Sequence, residues 1–301
     1  MSALRPAPIA QSRVYLGLSV GVVSVSFAAI LIRLADAPPL VIGAWRLGLA
    51  SLILTPAALG LKRDELRSLT RRDWGLAVLS GIFLGIHFAA WITSLEYTTV
   101  ASSVVLVATN PVFVGLASHF LLGERMGRLM WVGILVAVAG SMVIGYGDFD
   151  VAGRALLGDG LALVGALAGA CYFLIGRELR KRLSLLAYIW PTYSTAAAVL
   201  TLAALAAGDR LVGHTPQTYL LFLLLALAPQ IMGHSMLNWS LRHLSPTLVA
   251  VATLAEPISS ALLAFLILRE TPRPLALVGA AILLAGIYLS MRGARRKPTH
   301  A

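Results

Sequence analysis

Glu256 and Asn110 are polar residues set deep inside apolar runs of the 301-residue chain, and each is followed at once by a proline, Pro257 and Pro111. A proline within a helix lacks the amide that would reach the carbonyl four residues back, and it kinks the helix. A kinked polar spot of this kind can coordinate an ammonium or a hydroxyl. Arg46 is the only basic residue well inside an apolar run. A carboxylate and a guanidinium in such surroundings invite pairing, either directly or through a molecule held between them. An amino acid would fit, with its carboxylate on Arg46 and its ammonium on Glu256. Gln230, His234 and Asn238 recur at i, i+4 and i+8, one face of a helix, and His87 and Trp91 repeat the i, i+4 spacing. Histidine can relay protons near neutral pH, and indole can stack on an apolar or cationic group. Ser103 shares the Asn110 face of its helix, whereas His119 points about half a turn away and is left out. Tyr172, Tyr188, Thr192 and Thr195 are candidates to line the same space. Plainer readings stay open: Arg46 can snorkel to the membrane edge, and Glu256 or a histidine can be hydrogen-bonded purely for packing.

The elements that must position these groups are helices in a bilayer. Hydrophobic residues make up 58% of the chain and charged residues only 12%, about half the ~25% usual in soluble domains. That is too little charge to wet a globule of this size, and too little polarity for a disordered chain. About 20 apolar residues cross a bilayer as a helix. Ten such blocks can be read: 14–32, 39–60, 74–95, 99–122, 129–147, 160–176, 184–207, 217–238, 245–268 and 274–291. The first is read as a span rather than a cleaved leader, because its apolar stretch is long and Arg33 separates it from the small-residue site Ala35-Asp36-Ala37. Connections are short, which leaves no room for a soluble domain. The net charge of +11 lies in short loops, not on one amphipathic face, which argues against nucleic acid as a partner. With both termini cytoplasmic, 18 Lys and Arg fall inside and 5 outside, as the positive-inside rule demands. Cys171, the one cysteine, lies in an apolar run and excludes an internal disulfide. Trp45, Trp190 and Trp239 read as packing or interface aromatics.

The chain also repeats itself. Residues 95–144 overlie 241–290 at a constant spacing of 146, with 11 of 50 positions identical, among them Pro111/Pro257, Glu124/Glu270, Gly133/Gly279 and Gly140/Gly286. Apolar composition alone supplies matching Leu and Val; it does not align Pro, Glu and two Gly. The unit is five helices, residues 1–147 and 148–301. Because five is odd, the second copy starts on the opposite side of the membrane. Inverted repeats of this sort suit alternating access, with a substrate site between the halves at mid-membrane. Gly133/Gly140 and Gly279/Gly286 form small-residue ridges for close helix contact or a dimer surface, and Gly165/Gly169 form a further GxxxG pair.

The segments Asn110-Pro111 to Leu122-Gly123-Glu124 and Glu256-Pro257 to Leu268-Arg269-Glu270, each followed by a Gly-containing helix, resemble the paired motifs of EamA proteins of the drug/metabolite transporter superfamily. The similarity extends to the ten-span count and to Arg46 early in the second helix. Arg269, where the first copy has Gly123, departs from the pattern in the local turn only. The resemblance implies an all-α membrane fold of two inverted five-helix repeats, and export of a small metabolite such as an amino acid or amphipathic amine. The chain has no GxxxxGK[ST] phosphate loop, no HExxH, no histidine/carboxylate cluster at metal-ligand spacing and no G-x-S-x-G elbow. The expectation is therefore a secondary transporter in the cytoplasmic membrane, not an enzyme, with no cofactor. Protons are a candidate coupling ion, and the protein is a monomer or homodimer in the bilayer. A passive facilitator is the alternative, and an intramembrane enzyme a remoter one.

Overall fold

In the computed structural model, residues 11–98, 100–121, 126–146, 154–269 and 274–295 are described, and these are overwhelmingly helical. Glu124, Glu270 and the expected boundary between the two units at 147/148 lie outside them. Among the described residues, eight helices are long and apolar enough to cross a membrane: Gln11–Leu34, Pro39–Leu61, Arg71–Tyr97, Ser103–Phe120, Leu156–Arg180, Leu185–Ala206, Pro216–Ser240 and Pro246–Ile267. Helices Arg128–Tyr146 and Pro274–Arg295 stand in the fifth and tenth places, with the shorter apolar stretches Arg128–Gly140 and Ala281–Ser290. Burial follows the pattern expected in lipid. Leu61, Phe120 and Leu156 are 78%, 75% and 73% exposed, whereas Arg46, Ser80, Gln230 and Asn238 are wholly buried. The polar surface of this protein is on the inside.

Helix starts coincide with residues that can satisfy free amides. Thr70 and Asp73 form a reciprocal capping box before the third span. The hydroxyls of Ser184, Thr215 and Ser245 accept the amides of Ala187, Thr218 and Leu248 at 3.3, 3.2 and 3.2 Å. Pro39, Pro216 and Pro246 stand in the first turn of their helices, where no amide is missed.

Pairing of the spans shows the inversion. The second and seventh lie side by side and antiparallel: Gly43 abuts Leu200, Ser51 Oγ meets Ser194 Oγ at 2.6 Å, and Trp190 Nε1 donates to Thr55 Oγ1 at 3.0 Å. The fifth and tenth do the same, Gly133 facing Gly286 and Ser290 while Gly140 faces Gly279 and Leu283. Each pair joins two helices that hold the same place in successive repeats. Equivalent helices can run antiparallel side by side only if one repeat is upside down. The other contacts obey the same rule. The third span crosses the sixth, with Trp91 on Gly165 and Tyr97 on Gly158, as the eighth crosses the first, with Trp239 on Gly17 and Leu237 on Gly21.

Both proline-marked spans break. The fourth consists of helices Val100–Val107 and Asn110–Leu121, and the ninth of Pro246–Thr253 and Glu256–Leu263. The joints are tightened by i→i+3 bonds, Thr109 N to the Leu106 carbonyl at 3.1 Å and Leu254 N to the Val251 carbonyl at 3.1 Å. Asn110 and Glu256 thus each begin the second half of a broken helix.

The eighth span departs from the expected continuous α-helix. Residues Ala226–His234 are π-wound, with Pro229 inside and the Ser235 amide reaching back five residues to the Gln230 carbonyl. Proline removes an i→i−4 bond, and widening the turn accommodates the loss. The i, i+4, i+8 stripe read from the sequence is therefore not the single α-helical face expected.

Candidate functional site

A cavity of about 60 Å³ lies between the halves, room for several waters where one needs ~10–15 Å³. Its polar wall is formed by Arg46, His87, Trp91, Asn110, His234 and Glu256, with Tyr172 and Thr253 beside them. The remaining lining is mostly small or apolar: Val25, Ala28, Val107, Ala108, Gly169 and Phe173 are among it. Both repeats contribute.

Arg46 is entirely buried. Its Nε donates to Gln230 Oε1 at 2.9 Å, and its guanidinium carbon sits 4.1 Å from the centroid of the Phe88 ring, a cation–π arrangement that repays part of the desolvation. The fork is thereby fixed at one edge and one face. Nη1 and Nη2 have no hydrogen-bond partner. Arg46 and Glu256 line the same cavity, yet among the described residues Arg46 has no ion pair within 4.0 Å. The direct pairing considered from the sequence is absent.

Asn110 is held by its amide nitrogen, which donates to the Ala166 carbonyl at 2.8 Å. That partner fixes the orientation of the amide and leaves Oδ1, buried and unpaired, as an acceptor. His87 Nδ1 contacts the Gly165 carbonyl at 2.8 Å, which makes Nδ1 the protonated nitrogen of the neutral ring. Both bonds run to the sixth span, whose Gly165 and Gly169 allow the close approach. A Cβ at Gly169 would lie 3.0 Å from His87 Nδ1 and 3.1 Å from Asn110 Nδ2. The rings of Phe88, Tyr172 and His87 surround His234 at centroid distances of 5.2, 6.1 and 6.4 Å. Trp91 Nε1 and His234 Nδ1 are likewise buried without partners.

Of the residues singled out from the sequence, Glu256, Asn110, Arg46, His87, Trp91, His234 and Tyr172 line the cavity, and Gln230, Asn238, Ser103 and Tyr188 do not. Gln230 is turned to Arg46 by the π-wound segment. Asn238 donates to the Tyr172 hydroxyl and to the His234 carbonyl, so it braces two lining residues from behind. Ser103 Oγ meets Ser94 Oγ at 2.6 Å, and Ser94 bonds the Trp91 carbonyl. Tyr188 is bonded to Ser80 Oγ at 2.7 Å in the packing of the third span on the seventh. Thr192 and Thr195 are also turned to backbone carbonyls, those of Tyr188 and Pro191. Phe88, Gly169 and Thr253 were not foreseen. The GxxxG spacing marked Gly169 for packing only, and Phe88 carries no polar atom that would have marked it.

The two ends of the bundle differ. At the Lys- and Arg-rich end, Arg182 pairs with Asp73, the Ser184 amide donates to Glu65 Oε1 at 2.6 Å, Arg177 Nη1 donates to the Leu241 carbonyl at 2.8 Å, and buried Arg180 reaches the carbonyls of Asn238 and Leu183. At the other end a cavity of about 730 Å³ is bordered by Asp36, Pro38, Glu96, Asp209 and His214.

The model of the EamA-like transporter family matches this chain twice, over residues 12–146 and 156–292. The chain is 29% identical over 277 residues to the inner membrane protein YtfF of Escherichia coli K12, covering 82% of this chain and 84% of that one. It is 25% identical over 298 residues to the probable amino-acid metabolite efflux pump of Salmonella typhimurium LT2, covering 95% and 96%. A solved crystal structure superposes with a TM-score of 0.79 at 19% identity, over 96% of this chain and all of the other, which is likeness of fold.

Proposed function

Because the chain belongs to the EamA-like transporter family, we propose that it is a secondary carrier that exports a small amino-acid- or amine-like metabolite across the cytoplasmic membrane by alternating access. The observation that carries this reading is the position of the cavity. It lies between two inverted halves and is lined by both helix breaks, Asn110 from one repeat and Glu256 from the other. Exchanging the conformations of two similar halves would open such a site first to one side and then to the other. The description of the Salmonella relative as an efflux pump, and of CntI of Pseudomonas aeruginosa, 26% identical over 76% of this chain, as a pseudopaline exporter, supports outward movement of metabolites. The excess of Lys and Arg supports an orientation with both termini in the cytoplasm; in that orientation the stitched end of the bundle faces inward and the wide cavity outward.

Counterflow in proteoliposomes tests the carrier reading. Protein loaded with an unlabelled amino-acid mixture is expected to accumulate labelled amino acid transiently and saturably. A flux linear in concentration, without counterflow, would identify a passive facilitator. Proton coupling belongs to Glu256 in this reading: Glu256→Gln is expected to abolish the dependence of exchange on a pH gradient. If that dependence persists in the variant, Glu256 has no coupling role.

A further inference from the structure

We infer that Arg46 makes the central cavity selective for substrates with a free carboxylate, which it takes on its two terminal nitrogens. The inference rests on reading the cavity as the carrier's substrate site. Nη1 and Nη2 are buried donors without partners on a guanidinium whose other edge is occupied by Gln230 and whose face is covered by Phe88. What remains is the parallel pair of N–H groups that matches a carboxylate in bidentate fashion. Nothing on the wall satisfies them. Buried donors left without acceptors are unfavourable, so the site is built to receive an anion on them rather than to rest empty. The unpaired Trp91 Nε1–H in the same wall supplies a further donor.

The same wall also carries acceptors that are not hydrogen-bonded to these donors. Asn110 Oδ1 is unpaired, and Glu256 is on the lining. Pro111 and Pro257 cannot donate to the carbonyls of Val107 and Thr253, residues that both line the cavity and are spaced by the repeat interval of 146. An ammonium fits that side. The apolar lining suits an aliphatic or aromatic side chain. The class of ligand is thus a small zwitterion with carboxylate and ammonium on the same carbon, in which the carboxylate is obligatory and amines lacking it are rejected.

The test uses the purified full chain and three probes of one shape: leucine, leucinamide (no carboxylate) and 4-methylpentanoate (no ammonium). Ligand-induced thermal stabilisation reports binding, and counterflow reports carriage. Leucine is expected to bind at least roughly tenfold more tightly than leucinamide. Arg46→Lys, which keeps the charge and loses the fork, should lose about as much for leucine. Arg46→Gln should bind leucine and leucinamide alike, the melting temperature without ligand reporting whether each variant folds. Leucinamide binding as tightly as leucine to the wild type overturns the inference without any variant, as does failure of both carboxylates to bind. Leucine bound but not exchanged would sink the carrier reading and leave the carboxylate site standing. Exchange of leucinamide without binding of leucine would do the reverse.

Discussion

At the residue scale the site is made of groups whose hydrogen bonds are half complete. Asn110, His87 and Gln230 each spend one edge on a fixed partner, and that bond determines which atom is left over. Gly169 is what lets two of those bonds form. Gly169→Ala would press a methyl against His87 Nδ1 and Asn110 Nδ2, at 3.0 and 3.1 Å. Neither can yield without giving up its bond to the Gly165 or Ala166 carbonyl, each worth ~1 kcal/mol. The variant is expected to insert and fold yet exchange substrate about tenfold more slowly, which counterflow rates would show. Most lining side chains were legible in the sequence, because a polar atom in an apolar run is conspicuous: Arg46, Glu256 and His234 needed no alignment. What was not legible is which of several buried polar groups faces the cavity and which stands behind it. Asn238 and Tyr172 were equally visible, yet one lines the hollow and the other supports it, a distinction made by helix rotation that no pattern of residue types records.

At the element scale, span positions and the two breaks followed from apolar length and from Pro111 and Pro257. The winding of the eighth span did not follow, because a π-turn costs little and Pro229 alone does not say whether its helix kinks or widens. Glycines decide how close helices come. A Cβ at Gly140 or Gly286 would collide with the backbone of the facing helix, at Leu283 and Ala137. Side chains can move aside; backbone in a packed pair cannot. Gly140→Leu should cost roughly 1–3 kcal/mol or more, read as a fall in the melting temperature of the detergent-solubilised protein. Arg269 ends the π-wound segment Ala264–Leu268 with φ of 58°, where its repeat-mate is Gly123. Left-handed backbone costs a side chain ~1–2 kcal/mol, and glycine returns part of that as unfolded-state entropy. Arg269→Gly is therefore expected to raise the melting temperature slightly, by under ~1 kcal/mol of stability.

At the scale of the whole molecule, the two ends are held by different chemistry. Glu65, in the connection after the second span, caps the seventh by accepting the Ser184 amide. Burial works against its charge, but the bonds from Ser184 and the nearby Lys62 outweigh that and hold the carboxyl below its ordinary 4.5. A depressed carboxylate adds stability that is complete above its unfolded value and is lost as pH falls through the lower folded value. Melting temperatures taken from neutral pH down past 4.5 should drop for the wild type, and less steeply for Glu65→Gln; equal slopes would remove Glu65 from this role. The duplicated architecture itself was legible from the spacing of 146, since an odd unit dictates inversion. Its imperfection matters as much. Arg46 in the first copy falls on Thr192 in the second at that spacing, so the guanidinium has no twin. A hollow walled by two identical copies would accept a guest equally well in either of two poses. With one cation, one anion and apolar lining on an unsymmetrical wall, a zwitterion held in the proposed way has one pose that meets all three, and that pose has a handedness. A scaffold with pseudo-twofold symmetry thereby becomes able to tell a molecule from its mirror image, and L- and D-leucine should exchange at unequal rates.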